Sequence, residues 1–421
     1  MLKLRRAIVV EVDHPTAPPS EKSAQEIAGG GRYPVDPSEQ HLVIELARAA
    51  SGLDDRLEDG EETSVLGVRA AIADVALVGR SEVGDELIVN VQGLDIGLGS
   101  GGFDIVHVNL TRGLRGRGAR RANVMKLNYT SLQHAVQPVE DEQLRLPLQG
   151  PVAVLALHGQ LAAVAWAFAQ AATGRALGYV QTEGGALPGS HSRTVRALRD
   201  RGLLAGHLTA GAAFGGEREA ITTAGALHHG LHTLGWDAAV CGPGPGIVGS
   251  SSPLGHGGMW ALDSAHAALA LGAPTLLVAR MSSSDERVRH RGISHHTLTV
   301  LDLLLEPVTV ALPAGMRSPV GADLRAGLGA VFGGVVPQRP IRDRPALAPG
   351  VERPVRITRH DWRRAVVDLP AFAASGLAAE TMGRGLIEDP LFFGSALAGG
   401  SALAELMARA RSQEDGAGEV A

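Results

Sequence analysis

A chain of 421 residues with one cysteine, Cys241, has no means of building an intrachain disulfide framework, and it suits a reducing compartment. Aromatic residues are scarce, at 3%, so large rings cannot dominate the core. With 55 glycines and 45% hydrophobic residues, the composition instead predicts an Ala, Val and Leu core of the α/β type with many tight turns. Charge of one sign is also lacking. The formal net charge is −5, which gives no whole-chain reason to expect nucleic acid or a membrane as partner. The segment Val152–Ala172 is strongly apolar, but His158, Gly159 and Gln160 interrupt it, so it is not read as a membrane span. The opening MLKLRRAIVVEVDHP has basic and then apolar residues. Glu11 and Asp13 cut that run short, which predicts a first β-strand rather than an export signal. The expected location is the cytoplasm.

The texture of the chain changes near residue 150. Residues 1–148 are expected to form a β-rich domain, barrel- or sandwich-like, with a mobile insertion at 16–62 that carries a helical patch at Leu42–Ala50. Its strand candidates are Ala7–Val12, Thr63–Val68, Ala71–Val78, Glu86–Val91 and Phe103–Leu110. Residues Thr111–Lys126 hold Arg112, Arg115, Arg117, Arg120, Arg121 and Lys126. Without interleaved aromatics this basic loop reads as a solvated face rather than a nucleic-acid site. From 149 to 334, apolar strand-like runs alternate with helical ones, which predicts βαβ units in a Rossmann-like, mostly parallel α/β domain. Residues 335–421 read as a linker followed by a helical C-terminal extension, with one helix at Asp361–Ala374.

One stretch draws the candidate site together. WDAAVCGPGPGIVGSSSPLGHGGMWA, from Trp236 to Ala261, runs from a short apolar strand into Gly, Pro and Ser and then toward a helix. Gly244, Gly246 and Gly249 satisfy G-x-G-x-x-G, a spacing that lets backbone amides approach an anion. The match is weak alone. Pro243 and Pro245 remove two amide donors, no Gly-Lys-Ser/Thr is present, and no acidic residue stands about 20 positions on at the end of a following strand. A rigid packing loop explains the stretch equally well. Gly242, Gly244, Gly246, Gly249 and Ser250 are therefore anion-binding candidates that depend on what surrounds them.

Position supplies that context. In a parallel sheet, ligands bind outside the carboxyl ends of the strands, and nearly every polar cluster here follows a predicted strand. His158 follows one strand; Arg280, Asp285, Arg289 and Arg291 follow another, ahead of His295 and His296. Ser294 is placed to cap a helix whose first turn holds both histidines, where the helix dipole favours neutral imidazole. His295, His296, His158 and Asp285 are the catalytic candidates, with Arg289 and Arg291 as anion-binding partners. His295 and His296 are equally eligible as metal ligands, Asp285 and Glu286 being eligible carboxylate ligands or orienting carboxylates, and the metal itself is left open. His228 and His232 share a helix face at i, i+4, but the Glu of H-E-x-x-H is missing. They read as helix-surface or interface histidines. Cys241 reads as a small buried hydrophobe. Ser250–Ser252 lack a G-x-S-x-G elbow, and Glu183 with Glu217 is an acid–base pair only if their loops meet.

The runs CGPGPGIVGSSSPLGHGG and ARMSSSDERVRHRGISHHTLT, with GDELIVNVQGLDIGLGSGGFDIVHVNL and NVMKLNYTSLQ before them, resemble the bacterial family catalogued as domain of unknown function 3866. The resemblance covers roughly residues 1–345. It implies a bacterial, cytoplasmic protein and brings no chemistry. The residues favour an enzyme of hydrolase or transferase type acting on a small anionic substrate, a phosphorylated one included. The alternatives are a nucleotide- or small-ligand-binding sensor and a macromolecule-binding scaffold. No cofactor is identified, and a homo-oligomer stays open.

Overall fold

The computed structural model describes residues 2–12, 39–47, 67–97, 102–116, 122–141, 143–185, 188–314 and 359–418, with side chains described to 412. The chain divides into two compact units, Met1–Arg121 with Asn128–Ala135, and Ala122–Leu127 with Val136–Ala421.

The first unit holds a closed five-stranded barrel. Its strands are β1 (Leu4–Val12), β2 (Glu39–Leu46), β3 (Val68–Asp74), β4 (Glu86–Asn90) and β5 (Asp104–Asn109). They close in the order β1-β2-β3-β5-β4, with β3 and β5 parallel and the other pairs antiparallel. This is a Greek-key barrel of the OB type, an architecture that carries no function by itself. Alternation builds its core: Leu42, Ile44 and Leu46 point inward from β2 against Ala7, Val9, Leu87 and Val89. That alternation also overturns the helical patch expected at Leu42–Ala50. Its first half is strand, because β1 and β3 pair with it on both sides. Residues 13–38 and 48–66, most of the expected insertion, lie outside the described residues. At the ends of the basic loop, Arg112 is exposed and pairs with Asp85 at 2.8 Å, whereas Lys126 is buried and so is not part of a solvated face.

The second unit is an eight-stranded sheet with every neighbouring pair parallel. Its strands are β6 (Val152–Val154), β7 (Leu177–Thr182), β8 (Gly206–Ala210), β9 (Arg218–Ala220), β10 (Ala238–Pro243), β11 (Thr275–Val278), β12 (Thr309–Ala314) and β13 (Asp361–Val366). The spatial order is β9-β8-β7-β10-β6-β11-β12-β13. The central strands are buried on both faces, and they read as continuous apolar runs for that reason. Helices α1 (Leu161–Ala171), α2 (Arg193–Asp200), α3 (Thr223–His228), α4 (Trp260–Ala270) and α5 (His295–Leu303) make the crossovers. α3 is followed by a π-turn at His229–Thr233. The expected helix over Glu217–Leu234 is thus shorter than read, since Arg218–Ala220 pairs with β8 as an edge strand.

The C-terminal region is not an extension. Asp361–Val366, expected as helix, is the strand that completes one edge of the sheet, and α6 (Leu369–Ala374) follows it. The long α7 (Pro390–Gly418) is a core helix packed on α1 and on the strands. Phe392, Phe393, Leu397 and Leu403 are buried, and burial of each such side chain contributes about 1.5–3 kcal/mol. Pro390–Ser412 is long and apolar enough to cross a membrane, but 83% of its apolar window is buried inside the protein. The expected linker, 335–354, lies outside the described residues.

α7 meets α1 backbone to backbone at Gly400. A Cβ there would stand 2.3 Å from the Val164 carbonyl oxygen and 2.8 Å from the Ala167 Cβ. Main chain cannot yield as a flexible side-chain tip can, so Gly400→Val should cost about 1–3 kcal/mol despite removing a helical glycine. Urea unfolding midpoints measure this, and an unchanged midpoint would mean that the two helices do not approach so closely.

Candidate functional site

The strand order creates a switch point between β6 and β11. The connection after β6 leads toward β7, on one side, while the connection after β11 leads toward β12, on the other. A crevice opens at the carboxyl ends of two neighbours whose connections diverge in this way. Gln160 bridges its floor. The Gln160 Oε1 accepts from the Ala156 and Leu157 amides, and its Nε2 donates to the Ala279 carbonyl at 3.1 Å.

Beyond β11 the chain builds a closed loop. Met281 and Ser282 pair antiparallel with Ile293 and Gly292, so residues 283–291 bulge outward and return. Asp285 staples the bulge. Its carboxylate accepts from the Arg287 amide at 3.0 Å and the Arg287 guanidinium at 2.9 Å, and Arg384 and Arg280 stand 3.3 and 3.6 Å away. Burial alone would raise the Asp285 carboxyl, but the Arg287 hydrogen bonds and charge hold it well below the usual carboxylate range. Asp389 makes the second staple, accepting from the Ser282 hydroxyl at 2.6 Å, the Ser283 amide at 2.9 Å and Arg384 at 3.2 Å.

The loop returns into α5 through the expected cap. The Ser294 hydroxyl accepts from the His296 amide at 3.2 Å, and the same oxygen lies 2.8 Å from Nδ1 of His290. The Ser294 amide donates to the Arg280 carbonyl, while the Arg280 amide donates to the Thr297 hydroxyl, which locks the helix start onto the end of β11.

Four imidazoles meet at this corner. His290, His295 and His296 are in mutual ring contact at 4.4–4.8 Å between centroids. His256 arrives from the excursion after β10 and stacks on His296, with centroids 3.4 Å apart and planes 12° from parallel. Two charged rings that close would repel by about 5 kcal/mol at an effective dielectric of about 20, so the stacked pair does not hold two protons. Burial, and then the neighbouring cations and histidines, push His290 down to about 3 and His295 to about 4; His256 and His296 shift the same way. Arg280 is almost fully buried. It donates to Nδ1 of His296 at 2.9 Å, and burial lowers it to about 10.

The glycine candidates serve the excursion itself. Gly242 and Gly244 are sites of close approach, since a Cβ on them would meet Leu155 at 2.7 Å and Gln181 at 2.3 Å. Gly246 takes a positive φ of 83°. Gly249 bridges to His256, and the Ser250 hydroxyl donates to the Gly255 carbonyl at 2.9 Å, so both build the turn that carries His256. Arg289 and Arg291 are exposed on the bulge, and Arg291 donates to the Asp285 carbonyl oxygen at 2.9 Å.

Two catalytic candidates do not join the cluster in the expected roles. His158 turns to another set of partners, with Nε2 2.8 Å from the Ser192 hydroxyl and Nδ1 3.3 Å from the Tyr179 hydroxyl. Tyr179 in turn donates toward the Gly242 and Pro243 carbonyls and stacks on His207. Asp285 is occupied by guanidinium groups and acts as a fastener. His228 and His229 pair with Asp141, and His232 binds the Arg145 carbonyl, as structural histidines do. Glu183 accepts from the Ala212 amide while Glu217 pairs with Arg199. Cys241 is buried and pushed up to about 12. Residue reading passed over His290, and over His256 except as part of its loop. It also missed Arg384 and Asp389, whose region reads as a remote tail and carries no local motif.

Fold and site together define an α/β protein with a parallel sheet and a histidine cluster at its carboxyl edge. A family model, described as Protein of unknown function (DUF3866), matches residues 70–400, and the chain belongs to that family. The matched span runs past residue 345 and takes in Arg384 and Asp389. Comparison with curated proteins and with solved structures finds no match.

His158 and His207 give a pH signature. Burial holds them at about 4 and about 3, below the unfolded value near 6.5. The unfolded chain therefore binds protons first, and stability present above pH 6.5 is lost as pH falls toward 4. The loss is about 1.4 kcal/mol per pH unit for each group. Asp104, raised to about 6 by burial, offsets part of this in the barrel. Urea midpoints between pH 8 and 4 should fall, and His207→Phe should flatten the decline; an equally steep decline in the variant would count against this assignment.

Proposed function

We propose that the protein is an enzyme of hydrolase or transferase type that acts on a small anionic substrate, phosphorylated ones included, at the crevice beside β11. The observation that carries this reading is the meeting of four imidazoles from two distant segments beside β11, with the exposed Arg289 and Arg291 on the adjoining bulge. A neutral imidazole offers a nitrogen lone pair, and uncharged histidines leave the exposed Arg289 and Arg291 as positive charge beside the cluster. In this reading Arg289 and Arg291 hold the anion, His295 or His296 serves as acid/base or as metal ligand, and His256 fixes the plane of His296. His158 and Asp285 are positioning residues. The Rossmann-like comparison is kept only in the shared rule of the switch point, because the strand order differs from the 3-2-1-4-5-6 of dinucleotide folds.

A thermal-stabilisation screen with inorganic pyrophosphate, sugar phosphates and nucleotides tests this. A ligand at a hundred times its Kd adds about 2.7 kcal/mol to the folded state, enough to raise Tm by several degrees. The Arg289→Ala/Arg291→Ala double variant should lose that rise while its ligand-free Tm stays near that of the wild type, since both residues are exposed. If no anion raises Tm, or the double variant keeps the rise, the reading fails.

A further inference from the structure

The four rings differ in which nitrogen is spoken for. His256 Nε2 lies 3.0 Å from the Pro253 carbonyl and can only donate there, so its Nδ1 carries a lone pair; that atom is buried without a partner. His295 Nε2 is also buried without a partner. His290 has Nδ1 held at the Ser294 hydroxyl, which leaves Nε2 as its other nitrogen for a ligand. One ring nitrogen each from His290, His295 and His296 lies within 4.8 Å of the others. Buried nitrogen lone pairs with no donor opposite are costly, at about 1–3 kcal/mol each, unless something electrophilic meets them.

We infer that His290, His295 and His296 form a binding site for a divalent transition metal of the zinc class. Three imidazoles with a fourth position left open form the donor set of a catalytic rather than a structural zinc centre. Coordination at about 2.0–2.1 Å would draw the three nitrogens to about 3.4 Å apart, a closure within reach of side-chain rotation. Ser294 supplies the outer support that ligating histidines use, fixing the His290 ring through its far nitrogen. Arg280 occupies Nδ1 of His296, so guanidinium and metal compete for that ring. On binding, Arg280 falls back on Asp285, 3.6 Å away. His256 stays outside the ligand set and packs its face on His296.

The test is a titration of the full, chelator-treated protein with Co(II), followed by Zn(II) competition. One equivalent of Co(II) should give the visible d–d absorption of a four-coordinate site, and Zn(II) should abolish it. His295→Ala, chosen because His295 is the least buried of the three, should weaken binding at least about tenfold. His232→Ala, on a histidine bound to a backbone carbonyl outside the cluster, should bind as the wild type does. A wild type without the absorption, or a His295→Ala protein that binds equally well, overturns the inference. Should the His295 variant fail to fold, the wild-type spectrum decides alone. The metal and the anion stand apart in these measurements. Metal binding without anion stabilisation removes the substrate reading and keeps this site, and the reverse outcome does the opposite.

Discussion

Parallel pairing along the whole eight-stranded sheet is the constraint from which the site follows. Parallel neighbours cannot be joined by a hairpin, so each connection crosses a face and returns, and all strand ends collect along one edge. Beside β11 the connections part, and the polar side chains that must follow a buried strand are left lining the gap. The histidines meet because the chain reaches that gap twice, once after β10 and once after β11. Asp285 and Asp389 then hold the second approach rigid, since each carboxylate fastens several donors from segments far apart in sequence.

The chemistry of the corner depends on keeping charge off the imidazoles. A stacked pair cannot tolerate two protons, and Arg280, Arg287 and Arg289 lower the affinity of the rings for even one. Arg280, Arg287 and Arg384 are themselves paired with Asp285 and Asp389. The result is a cluster of imidazoles beside paired ions. His228, His229 and His232 each find a carboxylate or carbonyl partner, and His158 ends on hydroxyl groups.

Much of the second unit was legible because buried parallel strands announce themselves as short apolar runs. The expected strands over Val152–Leu157, Thr275–Ala279 and Val308–Leu312 all coincide with strands of the sheet. Ser294 was readable as a cap, since a hydroxyl ahead of a helical run has a local reason to be there. Edge strands were not readable. Asp361–Val366 and Arg218–Ala220 carry charged and half-exposed residues, because only one side of each is paired and one face is partly wet. In the barrel, β2 was mistaken for a helix over Leu42–Ala50, where short apolar spacing fits either period.

What the residues alone determined was local: where the strands of the core lie, which helix starts at Ser294, and that polar groups gather after strand ends. Those features depend on neighbours a few positions away, through burial pattern and backbone hydrogen bonding. What only the tertiary structure decided was partnership. His256 finds His296 across some 40 positions of chain, Asp389 finds Ser282 from 107 positions away, and His158 turns toward Ser192 instead of the cluster. Such pairings depend on the order in which strands are laid side by side, and that order is set by the packing of the whole sheet rather than by any one stretch of it.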